Sequence, residues 1–253
     1  MPLLVVLCLL LLLPCQVQSR SLEGDNTVVH SAPMPSTTED AGFDSSVILP
    51  PPPAFDSALM MRDRAQYEAG LLLRQTPRGK QAQNDANYVK LIESFSEALG
   101  MPISAEHSPE LLALLTRTSN ALAHFSTNFA KKHFKRIRPY VLYKANTCEP
   151  AQEERFSHTF SYPSGHSARG WGLALLLAEI APNKTEALLR RDYEIGQSRV
   201  ICGYHWQSDV DASRMTASAT LAGLHSNPEF LAQLAKAKKE FAALQQRVVP
   251  AKS

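Results

Sequence analysis

The sequence has almost no excess of either charge: 26 Lys+Arg face 24 Asp+Glu, a net charge of +2 over 253 residues. Such a chain cannot hold nucleic acid by bulk electrostatics, so any electropositive site in it must be focused. Even Lys236-Ala237-Lys238-Lys239 is followed at once by Glu240. Internal repeats and long blocks of like charge are missing, which at 20% charged residues excludes a collagenous chain, a coiled coil and a disordered tail. Sustained apolar/polar alternation with period two is missing as well, so no sheet is predicted. Past the N-terminus no apolar run approaches the roughly 18 residues of a membrane span. The best, Leu173 to Ala181, is interrupted by Glu179. The mature chain is expected to be soluble, all-α and single-domain.

The one substantial apolar run stands at the start, Leu3 through Leu13. It is too short for a hydrocarbon core of roughly 30 Å but typical of a secretory h-region, ended by Pro14. Residues 1–19 are therefore expected to be a signal peptide, with Val17 and Ser19 as the small residues before the cut and a periplasmic or secreted product. Cys8 and Cys15 leave with it, so of the 4 cysteines only Cys148 and Cys202 remain. In an oxidising compartment they form a possible disulfide, worth roughly 4 kcal/mol on the chain-entropy model; two buried free thiols are the alternative.

Residues 20–53, rich in Ser, Pro, Thr and Asp and closing on Pro50-Pro51-Pro52-Pro53, predict an extended arm. Residues 54–253 predict a helical domain. Apolar recurrence predicts helices to Leu73 and from Ala86 to Leu99, where Gly100 stops the chain. Ser108-Pro109-Glu110 and Asn227-Pro228-Glu229 each set a capping side chain before a proline at the first helical position. These predict helices from Pro109 to about Ile137 and from Pro228 to about Gln246. Further helices are expected at about 165–181, 184–199 and 204–225. The faces carrying Leu111, Leu114, Leu115, Ala121 and Leu122 are expected to be core.

Three segments carry chemistry. In the first, Lys131 and Arg138 lie seven residues apart, a spacing that returns to the same helical face, and Pro139 disfavours the helical conformation at Arg138. In the second, Ser161-Tyr162-Pro163-Ser164-Gly165-His166-Ser167 reads as a tight turn into a helix. It would aim free backbone N–H groups at one point, an anion site with His166 at its rim. The glycine a nucleophile elbow needs two residues before Ser164 is replaced by Tyr162. In the third, His205 and Asp209 are four apart. On a helix Asp209 can accept the His205 Nδ1–H and leave Nε2 free. Arg199 needs a break to join them, and Gly203 offers one.

Together these supply three permanent cations, two histidines, an orienting carboxylate and a backbone nest. That inventory suits phosphoryl transfer, in which charge spreads over three equatorial oxygens and calls for a ring of Lys, Arg and N–H donors. Neutral His205 would attack phosphorus in line while protonated His166 donates to the leaving oxygen. Mild acid should suit this division.

Lys131…Arg138-Pro139, then Pro163-Ser164-Gly165-His166, then Ser198-Arg199…His205…Asp209 resembles the tripartite signature of the type 2 phosphatidic acid phosphatase superfamily. Ile48 to Ala54, Arg78-Gly79-Lys80-Gln81-Ala82, Ser198 to Asp211 and the secretory leader are similar to the bacterial class A non-specific acid phosphatases. The likeness spans about residues 47 to 245. It implies the all-helical fold shared with vanadium haloperoxidases, a periplasmic location and a reaction without a metal or other cofactor. It implies His205 as nucleophile, Asp209 as its orienter and His166 as general acid. Lys131, Arg138, Ser164, Gly165 and Arg199 would ligate the phosphate. Phe160 and Ser167 depart from the family, which usually has Gly and Thr there, and Phe160 is expected to narrow the entrance or alter leaving-group preference.

The expected partners are small-molecule phosphate esters, with no nucleic acid, no membrane after signal cleavage, and a homo-oligomer possible. The alternative is an apyrase-like hydrolase of di- and triphosphates with the same pocket. A haloperoxidase lacks an added oxidant-specific feature, a phosphate-binding protein would not need both histidines, and a zinc hydrolase would need metal ligands beside His205 and Asp209.

Overall fold

In a computed structural model the described residues are 43–248, and all belong to one compact unit. The expected signal peptide and the arm as far as residue 42 lie outside them. Among the described residues there are twelve α-helices and no strand. In chain order these are α1 (Ser45–Ile48), α2 (Ala58–Leu73), α3 (Pro77–Ala86), α4 (Ser96–Leu99), α5 (Pro109–Phe125) and α6 (Asn128–Phe134). Then follow α7 (Pro139–Tyr143), α8 (Glu153–Ser157), α9 (Gly165–Ile180), α10 (Thr185–Ile201), α11 (Gln207–Leu224) and α12 (Pro228–Val248). None is long and apolar enough to cross a membrane.

Helix α9 is the central post, because its sequence is apolar nearly all round and a helix of that kind must be covered on every side. Leu173, Leu176 and Leu177 are fully buried against Leu111, Leu114 and Leu115 of α5, Leu188 and Ile195 of α10, and Leu221 and Leu224 of α11. Phe230, Leu234 and Phe241 of α12 close the layer. Each fully buried leucine contributes about 1.5–3 kcal/mol relative to exposure. The rigid core thus fixes where α9 begins, and the site is built on that beginning.

Several helix boundaries differ from expectation. The helix from Pro109 stops at Phe125, and a second one runs from Asn128 to Phe134 before Lys135 turns left-handed at φ 50°. Lys131 and Arg138 are therefore not on one helical face. Ser108 does not cap α5 either; its Oγ donates to Pro102 O, while Glu240 of α12 accepts from the N–H groups of Glu110 and Leu111. The acid that looked like local balance for Lys238 and Lys239 is thus a cap supplied across the core. Asn227 caps α12 as expected, its Oδ1 accepting from Glu229 and Phe230. Between Ala86 and Leu99 the chain forms short turns rather than one helix, because α3 already ends at Ala86 and the apolar side chains Leu91, Phe95 and Leu99 reach the core from successive turns. Gly100 does stop the segment, at φ 81°.

The described end of the arm holds the short α1 and then runs extended to α2. It is stitched to the domain: Leu49 packs with Ala130, Tyr162 and Ala212, the Ala130 N–H donates to Ser45 Oγ, and Tyr162 Oη donates to Pro50 O. Cys148 and Cys202 are bonded to each other, tying the loop after α7 to the end of α10.

One buried group is costly. Asp192 on α10 is 1% exposed, lies against Gly170 of α9, and its Oδ1 has no hydrogen-bond partner. Burial pushes its carboxyl up to about 7, against the pull of Arg214 and Arg191. The folded state therefore binds a proton that the unfolded chain releases near pH 4. The associated stability is full below that pH, is lost as pH rises through about 7, and amounts to on the order of 4 kcal/mol at most. Asp192→Asn is expected to raise the urea midpoint at pH 8 and to flatten its decline between pH 4 and 8; an unchanged decline in the variant would count against Asp192 as its source.

Candidate active site

The three chemically marked segments meet through backbone hydrogen bonds. Ser161 N donates to Arg136 O at 2.9 Å, Tyr140 N to Gly203 O at 3.2 Å, and Ser164 N to Asp209 O at 3.0 Å. Trp206 Nε1 adds a bond to Ile137 O at 2.9 Å. Gly203, at φ 79°, makes the turn after α10 that a side chain would resist, and so brings His205 back beside Arg199, whose carbonyl accepts from Tyr204 N.

Arg138 reaches the centre from an extended residue before α7, its ψ of 149° set by the proline that follows. Its Nη1 lies 3.1 Å from His205 Nε2 and 3.0 Å from Tyr204 O, and its other donors go to Thr159 and Phe160 O. Lys131 Nζ donates to Phe160 O at 2.7 Å and to Ser161 O at 3.3 Å. Arg199, 5% exposed, stacks on Tyr204 with 4.4 Å from guanidinium carbon to ring centroid, and its Nε and Nη1 have no partner. Ser164 caps α9, its Oγ accepting from Ser167 N, which leaves the Gly165 and His166 N–H groups at the helix N-terminus without an intrahelical acceptor. His166 Nε2 is buried and unpartnered.

The tautomer of His205 follows from its neighbours. A guanidinium can only donate, so Nε2, facing Arg138, must be the acceptor and the proton sits on Nδ1. Nδ1 lies 3.3 Å from Asp209 Oδ2, which also accepts from Trp206 N at 2.8 Å. His205 precedes α11 and is not in its helix. The pair meets because Asp209 folds back as a cap on the α11 N-terminus, a correction to the helical i, i+4 reading.

Burial, then Arg138, Lys131 and Arg199, hold the His205 imidazole well below its usual range. His166 is pushed the same way by burial, then by Arg199, Arg169 and His205. Lys131 falls well below the ordinary lysine range through burial and Arg138, and burial brings Arg199 down to about 10. Five basic groups, Lys131, Arg138, His166, Arg199 and His205, thus surround one point, and Arg199 keeps two donors without a partner there.

The PAP2 superfamily profile matches residues 112–230. A non-specific acid phosphatase of Providencia stuartii is 50% identical over 204 residues, 80% of this chain and 82% of its own. One of Salmonella typhimurium is 39% identical over 81% of this chain and 83% of its own. The chain belongs to the non-specific acid phosphatases of the PAP2 superfamily. An acid phosphatase of Zymomonas mobilis is 32% identical, over 81% and 78% of the two chains.

In this acid phosphatase the sequence reading missed a buried layer behind the site. Arg136 Nη1 donates to Asp209 Oδ1 and to Ser208 Oγ, each at 2.7 Å, and its Nη2 donates to Asp63 Oδ2 at 2.7 Å. Asp63 also accepts from Ser208 N at 2.9 Å. A lone acid in α2, 146 residues before Asp209, carries no local signal. A second layer braces Arg199: Asp85 Oδ2 accepts from Ser198 Oγ at 2.6 Å and pairs with Arg191, while Arg78 donates to Ser198 Oγ and Glu194 O. Arg78 was visible only within the family motif. Phe160 is half-buried, and its carbonyl, which any residue could supply, is what holds Lys131 and Arg138. Of the remaining described histidines, His107, His124, His158 and His225 make local partners with Ser104, Asn128, Glu154 and Glu179.

An open cleft of about 1220 Å³ has Asp85, whose backbone faces His166, and Arg169, which bears on it electrostatically, in its wall. None of Lys131, Arg138, Ser164, Gly165, His166, Arg199 and His205 lines it.

Burial and the surrounding cations hold His166 well below its usual range, so a dianion placed among them should favour its protonated form. Sulfate, which does not itself titrate near pH 6, is expected to bind with uptake of about one proton, lost in His166→Asn. Titration calorimetry in two buffers of unequal ionisation enthalpy reads this; equal apparent enthalpies would remove His166 from that role.

Proposed function

We propose that this acid phosphatase hydrolyses phosphate monoesters of varied leaving groups, outside the cytoplasm, through a phosphohistidine on His205. The observation that carries the reading is the 3.1 Å approach of Arg138 Nη1 to His205 Nε2, with Nδ1 turned to Asp209. It leaves a lone pair facing the cations that would hold the phosphoryl oxygens.

The ester phosphate displaces Arg138 from Nε2 and lies among Lys131, Arg138, Arg199, Ser164 Oγ and the Gly165 and His166 N–H groups. Nε2 then forms a bond to phosphorus as the P–O ester bond breaks, and protonated His166 delivers its proton to the departing oxygen. The Nδ1–H stays on Asp209, which stabilises the charged ring. Next, water attacks phosphorus, His166 takes its proton, the P–N bond breaks, and inorganic phosphate leaves with both histidines restored. Charge neutralisation comes from side chains and N–H groups, so the proposal needs no metal.

Mild acid suits the scheme because His166 must enter the chemical step protonated and His205 unprotonated. The leader of residues 1–19 supports export.

His205→Ala is expected to abolish turnover of p-nitrophenyl phosphate, with loss above 10³-fold, and to prevent trapping of acid-labile, base-stable phosphoenzyme on rapid quench. Full activity in that variant sinks the assignment. His166→Ala should lose least with p-nitrophenol as leaving group and most with alkyl alcohols; equal losses across the series would exclude it as the acid.

A further inference from the structure

Behind His205 lies a chain of buried charges that the scheme above does not use. Asp63, Arg136 and Asp209 have side-chain exposures of 2%, 8% and 0%. Two carboxylates thus share one guanidinium out of contact with water, where an unpaired charge is most costly. Arg136 lies between them with both Nη groups used, over the face of Trp206 at 5.3 Å. Ser208 is the third member. Its N–H and hydroxyl both go to Asp63, at 2.9 and 2.5 Å, and its Oγ accepts from Arg136.

The two oxygens of Asp209 have divided duties. Oδ1 takes Arg136, and Oδ2 takes Trp206 N and faces His205 Nδ1. Whatever charge Arg136 draws to Oδ1 is unavailable to His205. Asp63 competes for the same guanidinium from α2, and so limits that draw.

We propose that Asp63 and Arg136 are positioning residues: they hold Asp209 in the rotamer that fixes the Nδ1–H tautomer of His205, and they apportion the Asp209 charge between Arg136 and the imidazole. The proposal rests on His205 being the nucleophile only for its kinetic consequences, because tautomer and titration of the ring can be read without turnover.

The groups facing His205 from the surrounding elements are Lys131 of α6, Arg138 before α7, His166 of α9, Arg199 of α10 and Asp209 of α11. Four are basic. Asp209 is the one acid among them, so a change in its share of charge falls on His205 with nothing else of that sign to buffer it.

The two partners should then shift His205 in opposite directions. In Asp63→Asn, Arg136 turns more fully to Asp209, the imidazolium loses support, and His205 titrates lower. In Arg136→Met, Asp209 offers its whole charge to the ring, and His205 titrates higher. The experiment is ¹⁵N histidine NMR across pH with the wild type, both variants, the double variant Asp63→Asn/Arg136→Met and Arg136→Lys. Alongside it, kcat and KM for p-nitrophenyl phosphate are measured across pH. Expected are the Nδ1–H form in the wild type, opposite displacements of the acidic limb of kcat in the two single variants, and a smaller change in KM than in kcat. Because Arg136→Met leaves the buried Asp63 with only Ser208 as donor and no opposite charge, the double variant, which removes both charges, covers the case in which it fails to fold. Its ring should shift upward and populate both tautomers. Arg136→Lys reaches one carboxylate and should restore part of the tautomer order. Displacements of the same sign in both single variants, or an unaltered tautomer in the double variant, would overturn the proposal. If His205 behaves as expected by NMR while the rate profile stays fixed, the nucleophile assignment fails and the positioning role stands.

Discussion

The carboxylate of Asp209 is the constraint on which the rest depends. Its side chain takes the backbone N–H of Trp206, the guanidinium of Arg136 and the ring of His205, and its carbonyl takes the N–H of Ser164. One fully buried residue therefore caps α11, orients the imidazole, anchors the layer behind it and registers the turn that begins α9. An acid that merely accepted from histidine could be moved by a rotamer change; one whose two carboxylate oxygens are also held by Trp206 N and Arg136 cannot. The apolar core does its part at a distance, by fixing the axes of α9, α10 and α11 so that their ends converge.

What converges is electrostatically unfavourable. Lys131, Arg138 and Arg199 are drawn together, and burial, then repulsion from neighbouring basic groups, depresses Lys131 and both histidines. The fold sustains this with carbonyl acceptors: Phe160 O and Ser161 O for Lys131, Thr159 O, Phe160 O and Tyr204 O for Arg138. Arg199 has an aromatic face beneath it and unused donors beside it. On the proposed reading, a phosphoryl group entering such a pocket would relieve this repulsion, and the more negative the oxygens became during transfer, the greater the relief would be.

The helices were legible where apolar periodicity and proline punctuate the chain together. Gly165–Ile180, Thr185–Ile201 and the α12 start at Pro228 all lie within two residues of expectation. Legibility failed where a backbone break had no proline or glycine to mark it. Ser126 and Thr127 interrupt a pattern that runs on smoothly to Phe134, and the left-handed residue that ends α6 is a lysine. The site residues were legible as a set because they sit in three short, chemically unusual segments. Asp63 and Arg136 were not, since one is a single acid in a helix and the other stands among five basic neighbours. Their role is created by tertiary contact alone. The same holds for Glu240, whose place beside Lys239 suggested surface balance and whose carboxylate instead caps a helix more than a hundred residues away.

In the proposed scheme, breadth of substrate and force of catalysis would have one physical origin. Binding energy accelerates a reaction only where it is larger in the transition state than in the bound ester. In that scheme the charged contacts are grouped on the phosphoryl oxygens, whose charge changes during transfer. Contacts to the alcohol would strengthen ground and transition states alike and would narrow the substrate range with little gain in rate. The one contact to the leaving group that would change along the proposed reaction is the proton of His166. Burial and neighbouring cations hold that imidazole well below its usual range, and an anion beside it would favour the charged donor. Discrimination among esters then reduces to how much each leaving oxygen needs that proton, a property of the alcohol's chemistry more than of its shape.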